Sequence, residues 1–556
     1  MPSLTRDQFV TLVQQERART PEAVLAVPIQ VRLLSDQLTP VLAYRRLVSG
    51  DERTAPSFLL ESVEGGDRQG RYSILGAQPI VEVVACQHSV RITDHRTGTD
   101  SQSDSANPLL EPRLLTERVR LVHPPARSPR EELPGCPLGG WFGYASYDTV
   151  RYAEPEKLAF ADAPHDDREL PDMHFALYDG LVAFDHVGKL IHVVQIAMVE
   201  PGQDAGVAYD EAAAKLEARV QRVNQPQQHA TPLPPGRVGA ERPVQPMPSN
   251  TTRQQHAAMV EKAKEYIRAG DIFQVVVGQR FERESRVDPF DVYRALRAVN
   301  PSPYMVYMQC AGCILVASSP EILCRVRRQA GGGLVLTNRP LAGTRRRGMT
   351  NAEDLALETE LLADEKERAE HVMLVDLGRN DVGKVACAGS VELPAVMEIE
   401  RYSHVMHISS TVTGELRAGY DAWDALIATL PVGTISGAPK IRAMQIIDEL
   451  EPVRRGPYGG GMGYVSLDGE MDIALALRTM VVPTGGCRGL ESPPPCEESP
   501  LSCGADGVVW TYYIQAAGGI VADSQPEPEF METVNKAAAL ARAVDLAESA
   551  FGASET

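Results

Sequence analysis

Apolar positions recur at helical spacing in some stretches of the chain and alternate with polar positions in others. A helix is predicted after Thr252, which begins a capping box, and apolar residues three and four apart continue along one face until Gly270. A strand is predicted at 272–281, because apolar residues alternate there with residues that point to the opposite face. That second face carries Gln274, Gly278 and Arg280. We expect such a strand to pack on one side and to line a cleft on the other.

A hairpin is predicted at 458–480, with its turn at Asp468 and Gly469. One face of its second strand places small residues before Arg478, which leaves room for a ligand beneath a guanidinium. Long helical stretches alternate with strands of this kind. The pattern therefore predicts an α+β fold with a large sheet core.

Two predicted helices, at 364–377 and 527–547, carry acidic residues at helical spacing. The first includes Glu370, and in the second Glu532 and Lys536 are one turn apart. The spacing of these acidic residues alone favours solvent-exposed helix faces with ion pairs over a binding site.

Two further motifs stay ambiguous from spacing alone. The glycine-rich stretches 433–444 and 459–463 fit tight turns as well as a place where backbone N–H groups hold an anion. His404 and His407 lie close together in a predicted strand, and a histidine in that position is more often packed than catalytic.

Changes in composition divide the chain into two large segments, at 20–222 and 251–550. Residues 224–250 between them are rich in Pro and Gln and are predicted to be an exposed linker. Residues 484–507 have the character of a surface insertion in the second segment.

The formal net charge is −19, from 55 Lys and Arg against 74 Asp and Glu. So acidic a chain does not attract nucleic acid or anionic membranes, and an anionic substrate would need positive charge gathered at its site. No apolar run reaches the length of a membrane span, and the first residues contain acidic side chains and no apolar signal core. We therefore expect a cytoplasmic protein whose nine scattered cysteines are reduced thiols.

Many short motifs along both segments resemble the chorismate-using enzymes, and among them the large subunit of anthranilate synthase. The motifs, in chain order, are LLES (59–62), GRYSILG (70–76), NPSPYM (300–305), ASSPE (317–321), PLAGTRRRG (340–348), DEKERAEHVMLVDLGRND (364–381), RYSHVMH (401–407), GTISGAPKIRAM (433–444), PYGGGMGY (457–464), ALRTM (476–480), IQAAGGIVADS (514–524) and ETVNKA (532–537). The resemblance implies a chorismate-utilising enzyme fold, a large antiparallel β-sheet sandwich flanked by helices, with two intertwined lobes.

The resemblance also implies roles for individual residues. Glu370 and Glu532 would bind Mg²⁺, which holds the ring carboxylate of chorismate, and His407 would be the base that removes a proton from the ring. The residues implied for chorismate binding are Gly343, Thr344, Tyr458, Arg478, Ala517, Gly518, Gly519 and Lys536.

The implied reaction converts chorismate and ammonia to anthranilate and pyruvate, the first step of tryptophan biosynthesis. Relatives that activate water use a lysine where this chain has Gln274, and carry an acidic residue that the motif comparison places at Arg339. Aminodeoxychorismate synthases, the alternative function, often have a nucleophilic lysine where this chain has Ala342. A non-catalytic tryptophan-binding subunit is a further alternative, although the implied metal and base positions are all intact.

Two partners follow from the resemblance. The sequence shows no glutaminase motif, so a separate glutamine amidotransferase subunit is expected to supply ammonia. Tryptophan is expected to inhibit through a regulatory pocket in the other lobe, which contains Ser62, Pro303, Tyr304 and Met305.

Overall fold

The computed structural model describes residues 2–48, 55–62, 70–125, 132–224, 236, 247–329, 331–402, 405–485 and 508–551. The predicted linker at 224–250 and the predicted insertion at 484–507 lie largely outside the described residues, and so does His404. The helices are α1 Arg6–Arg19, α2 Pro40–Leu47, α3 Glu111–Thr116, α4 Val150–Ala153, α5 Ala205–Asn224, α6 Arg253–Ala269, α7 Pro289–Val299, α8 Asn351–Ala363, α9 Glu365–Gly383, α10 Ala422–Thr429, α11 Lys440–Leu450 and α12 Pro526–Phe551.

The strands of the first segment are β1 Val24–Leu34, β2 Ser57–Glu61, β3 Tyr72–Ala77, β4 Val81–Cys86, β5 Ser89–Asp94, β6 Thr99–Asp104, β7 Val119–Leu121, β8 Gly140–Ala145, β9 Met173–Tyr178, β10 Gly180–Asp185 and β11 Leu190–Val199. Those of the second segment are β12 Gln274–Ser285, β13 Tyr304–Cys310, β14 Cys313–Ser319, β15 Ile322–Arg328, β16 Leu334–Asn338, β17 Leu341–Arg346, β18 Glu392–Arg401, β19 Val405–Glu415, β20 Gly437–Ala438, β21 Gly461–Ser466, β22 Met471–Leu475, β23 Thr479–Pro483 and β24 Trp510–Ile520.

Two twelve-stranded sheets contain strands from both segments. The first sheet runs β20-β12-β24-β23-β14-β13 and continues, through the pairing of β13 with β2, into β2-β3-β10-β11-β1-β7. The second runs β17-β19-β16-β15-β22-β21 and continues, through the pairing of β21 with β8, into β8-β9-β4-β5-β6, with β18 added beside β19. Nearly all neighbours are antiparallel, with β1 and β7 a parallel exception. The predicted antiparallel sandwich with intertwined lobes is confirmed.

The core has three layers. Side chains of both sheets meet between them, where the ring of Phe58 in β2 stacks on Phe142 in β8 at 3.9 Å between centroids. Helices α1, α2, α5, α7 and α12 cover the outer face of the first sheet. Helix α11 contacts β12 and β20 at one end of that sheet, and α10 packs on β15 of the second. None of the described helices is both long and apolar enough to cross a membrane.

Local sequence signals predict several boundaries correctly. Thr252 closes a capping box at the start of α6, and Gly270 ends that helix in the left-handed region at φ 83°. Two details were wrong. Alternation along the predicted strand 272–281 puts Phe273 on the packed apolar face, but Phe273 precedes β12 and is 74% exposed. The sequence also predicts Pro439 in the first turn of the helix within 433–444, but Pro439 is the N-cap of α11. Cys86 takes part in a disulfide, against the expectation of reduced thiols, whereas the other cysteines of the described ranges are free.

Candidate active site

A cavity of about 540 Å³ lies where β12 and β24 of the first sheet approach β17 and β19 of the second, beside α9 and α12. Of the residues predicted for catalysis, metal binding and substrate binding, the cavity brings together His407, Glu370, Glu532, Gly343, Thr344, Tyr458, Arg478, Ala517, Gly519 and Lys536. Gly518 is the exception: it does not line the cavity but lies against two carboxylates of α12.

A bulge in β17 orients His407. The register between β17 and β19 shifts at Gly343, whose φ of 70° suits glycine. The carbonyl oxygen of Gly343 lies 3.1 Å from Nδ1 of His407, and Thr344 Oγ1 lies 3.0 Å from the same nitrogen. Because a carbonyl oxygen can only accept a hydrogen bond, Nδ1 carries the proton and Nε2 is left as the basic nitrogen.

The surroundings of His407 keep its ring neutral. Burial, together with the positive charges of Arg478 and Lys536, lowers its pKa to about 4, against the opposing effects of the Gly343 hydrogen bond and of Glu400. At neutral pH the imidazole is therefore available to accept a proton.

Glu370 of α9 and Glu532 of α12 both line the cavity, and each lies near one of two adjacent glycines of β24. A Cβ atom on Gly518 would lie 3.7 Å from Glu532 Oε1, and a Cβ on Gly519 would lie 3.7 Å from Glu370 Oε1. Gln274 Nε2, which donates a 3.0 Å hydrogen bond to Glu370 Oε1, would be only 2.3 Å from that second Cβ. The glycines thus leave space in which carboxylates from two distant helices approach one strand.

A second carboxylate accompanies each of these glutamates. Burial and the charge of Glu370 raise the pKa of Glu367, and burial together with Glu532 raises that of Glu529. Glu529 Oε2 is buried without a hydrogen-bond partner. Repelling carboxylates and an unpaired oxygen fit a site for a hard divalent cation, although no three acidic, His or Cys side chains of the described residues form a complete metal cage.

Positive and hydrogen-bonding groups lie nearby in the same cavity. Lys536 Nζ donates a 2.9 Å bond to the carbonyl of Ala517 and pairs with Glu532 Oε1 at 2.7 Å. The backbone N–H of Ala517 donates to the hydroxyl oxygen of Tyr458, whose pKa burial raises. Arg478 has a φ of 46°, a left-handed conformation that non-glycine residues adopt at a cost and that is concentrated at functional sites.

Glu321, the acidic residue of the ASSPE motif, to which the sequence assigns no role, is a buried carboxyl in the wall of this cavity. Burial raises its pKa to about 8, although hydrogen bonds from Thr434 Oγ1, at 2.9 Å, and from the backbone of Leu341 oppose the shift. Glu321 is therefore protonated at neutral pH and can donate a proton. The signal in the sequence is a lone acidic residue in an otherwise uncharged stretch, 314–323.

Arg339, the position at which the resemblance expects an acid in water-activating relatives, does not face the active cavity. It lines a different cavity and pairs with Glu400 at 2.5 Å, whereas the buried carboxyl of Glu321 lines the active cavity. The expected difference from relatives that activate water therefore depends on Gln274, which stands where they have a lysine and lines the cavity beside Glu370.

The predicted regulatory residues line a second cavity of about 370 Å³. Ser62 follows β2 of the first segment, and Pro303, Tyr304 and Met305 come from the second. The sequence predicts this pocket in the lobe that does not contain the active site. The structure instead builds it from residues of both segments. Pro320 and Leu341 line both cavities, so one wall separates them.

Residues 57–542 match the family model for chorismate binding enzymes. The chain is 52% identical over 537 residues to anthranilate synthase alpha subunit 1, chloroplastic, of Arabidopsis thaliana, covering 94% of this chain and 86% of that protein. It is 42% identical over 548 residues to anthranilate synthase component 1 of Pseudomonas aeruginosa, covering 98% of this chain and 99% of that protein.

Solved structures agree with this match. The crystal structure of anthranilate synthase component I from Streptococcus pneumoniae TIGR4 has a TM-score of 0.65 at 32% identity and covers 92% of this chain and 99% of its own. MenF, the menaquinone-specific isochorismate synthase from Escherichia coli, has a TM-score of 0.62 at 18% identity over 97% and 100% of the two chains, a likeness of fold alone. The chain belongs to the chorismate-binding enzyme family and, within it, to the anthranilate synthase large subunits.

Proposed function

We propose that this chain converts chorismate and ammonia to anthranilate and pyruvate. The observation that carries the proposal is a single cavity that holds a protonated carboxylic acid, Glu321, and a neutral imidazole, His407. Environments that move two titratable groups in opposite directions are typical of an acid and a base that act in one reaction. The sequence identity to anthranilate synthase large subunits supports the choice of reaction.

Chorismate is a dianion, and the cavity offers groups suited to both of its carboxylates. Arg478 would bind the enolpyruvyl carboxylate, with Tyr458 beside it. Glu370 and Glu532 would hold Mg²⁺, and the metal would neutralise and polarise the ring carboxylate. The positive charge of Arg478 and the metal would offset the repulsion between an anionic substrate and a chain of net charge −19.

In the first step ammonia forms a bond to ring carbon C2, the ring double bonds shift, and the C4–O bond breaks. Glu321 donates its proton to the departing hydroxyl, which leaves as water. The added nitrogen then loses a proton, so the charges balance. Gln274 has no basic nitrogen with which to activate water, which favours ammonia as the nucleophile.

In the second step His407 Nε2 removes the proton from C2. The C–H electron pair enters the ring, the C3–O bond breaks, and the electron pair of that bond leaves with enolpyruvate, which becomes pyruvate on protonation. The aromatic product is anthranilate. Ala342, which lines the cavity, offers no nucleophile for the covalent route used by aminodeoxychorismate synthases.

Two partners belong to the proposal. Ammonia is mostly protonated at neutral pH, so a separate glutamine amidotransferase subunit would release it beside the cavity. Tryptophan would bind in the second cavity, between Ser62 and Tyr304, and inhibit by favouring a conformation with an altered first cavity.

The test is incubation of the chain with chorismate, Mg²⁺ and ammonium, followed by anthranilate fluorescence and a pyruvate assay. We expect both products in equal amounts, and glutamine should replace ammonium only when an amidotransferase subunit is added. Release of aminodeoxychorismate without pyruvate would establish the alternative enzyme. Glutamine-supported activity of the chain alone would disprove the need for a partner.

A further inference from the structure

Tyr402 contacts the base of the active cavity from outside that cavity. Its ring meets the His407 imidazole edge-on, with 5.5 Å between centroids and 64° between planes. The Tyr402 side chain is 8% exposed and lines the second cavity, whereas His407 lines the first. This ring pair is therefore a direct side-chain contact between the walls of the two cavities.

Several bonds hold Tyr402 in place. Its hydroxyl donates a 2.8 Å hydrogen bond to Glu400 Oε2, and Glu400 in turn pairs with Arg339. Its carbonyl accepts a 2.7 Å bond from Arg347 Nη1, and its N–H donates a 2.8 Å bond to the carbonyl of Val405. A ring fixed at both its hydroxyl and its backbone can support a neighbouring ring.

One nitrogen of the imidazole is already held by the backbone. Its Nδ1 lies against the carbonyl of Gly343, a contact that sets the tautomer but leaves rotation about this hydrogen bond open. An aromatic ring against the imidazole limits that rotation. The register of β18 and β19 supports the arrangement, because Glu400, which binds the Tyr402 hydroxyl, is directly opposite His407.

We propose that Tyr402 is a positioning residue that holds the His407 imidazole so that Nε2 points at the proton on C2. The inference rests on the proposed function and adds a residue that does not touch the substrate. It concerns only the second step, in which Nε2 takes the C2 proton, the C–H pair enters the ring and the C3–O bond breaks. Amination at C2 does not use His407, so a tilted imidazole leaves the first step intact.

The ratio of released aminated intermediate to anthranilate tests the inference. Tyr402→Leu removes the aromatic ring, and we expect anthranilate formation to fall about 10- to 100-fold while the KM for chorismate changes little, because misplacing a catalytic group by about 1 Å has effects of this size. The aminated, enolpyruvyl-bearing intermediate should then be released and be detectable by chromatography. Tyr402→Phe keeps the ring and should restore most of the anthranilate share. Tyr420→Leu, at a tyrosine that is 39% exposed and packs on Arg417, is the matched control and should leave the product ratio unchanged.

The possible results of this experiment have different meanings. Intermediate release by Tyr402→Leu with rescue by Tyr402→Phe supports the positioning role. A wild-type product ratio in Tyr402→Leu, or a joint fall of intermediate and anthranilate in a folded variant, overturns it. Should the leucine variant unfold, Tyr402→Met, which keeps a large apolar side chain, gives the same comparison. Absence of anthranilate from the wild-type chain would instead reject the proposed function.

Discussion

Glu321 and His407 line one cavity, and burial moves their pKa values in opposite directions, to about 8 and about 4. A buried carboxyl favours its neutral, protonated form, and a buried imidazole favours its neutral, unprotonated form. Between these two values the acid holds a proton and the base is free to accept one. The same physical cause thus prepares both proton transfers of the proposed reaction.

We predict a bell-shaped dependence of kcat/KM on pH. Activity should fall as pH rises through about 8, because Glu321 then loses the proton it must donate, and should fall as pH drops towards about 4, because His407 becomes protonated. Glu321→Gln should lower kcat/KM by about 100-fold and remove the upper limb of the profile. An upper limb that survives in this variant would assign it to another group.

Removal of the His407 base should separate the two steps. We expect His407→Asn to lower anthranilate formation by about 10²- to 10⁴-fold, the usual size of a general-base contribution, while amination of chorismate continues. Chromatography of the reaction mixture should show the aminated intermediate. A variant that stops both steps equally would contradict the assignment of His407 to the elimination.

Mg²⁺ should be required, and the requirement should depend on the two convergent glutamates. Glu370→Gln or Glu532→Gln should lower the apparent affinity for Mg²⁺ by more than about 10-fold, because each removes a charged ligand. The measurements are a Mg²⁺ titration of activity and the shift of Tm on Mg²⁺ addition. Asp376→Asn changes an exposed carboxylate of the same helix, α9, and is the matched control. Equal Mg²⁺ dependence in all variants would refute the metal site.

Inhibition by tryptophan should depend on the second cavity. Ser62→Arg places a large cation in that pocket, so we expect tryptophan inhibition to be lost while the rate without tryptophan stays largely intact. Ser101→Arg, on the exposed strand β6, should leave inhibition unchanged. The check is anthranilate formation against tryptophan concentration, and an unaltered inhibition curve for Ser62→Arg would reject the assignment.

Local sequence signals predicted local structure well. The capping box at Thr252 and the left-handed Gly270 bound α6 because both act through neighbouring backbone atoms. The turn at Gly469, with φ 83°, was predictable for the same reason. Spacing could not show that α9 and α12 bring Glu370 and Glu532 to one strand, and only the family resemblance supplied that expectation.

Features that depend on long-range packing were missed. The raised pKa of Glu321 depends on burial beside Thr434 and Leu341, which approach it only in the folded sheets. The wall of Pro320 and Leu341 between the cavities also has no local signature. A motif list gives the residue types of a site, whereas the dielectric environment of each residue is a property of the fold.

The pairings of β13 with β2 and of β21 with β8 make the two segments inseparable. Either half expressed alone would present two unsatisfied strand edges, one per sheet, and such edges promote aggregation. The active cavity is assembled mainly from the second half, yet that half depends on the first to complete its hydrogen-bond ladders. The active cavity and the second cavity consequently belong to one folding unit, because each sheet is complete only when both halves are present.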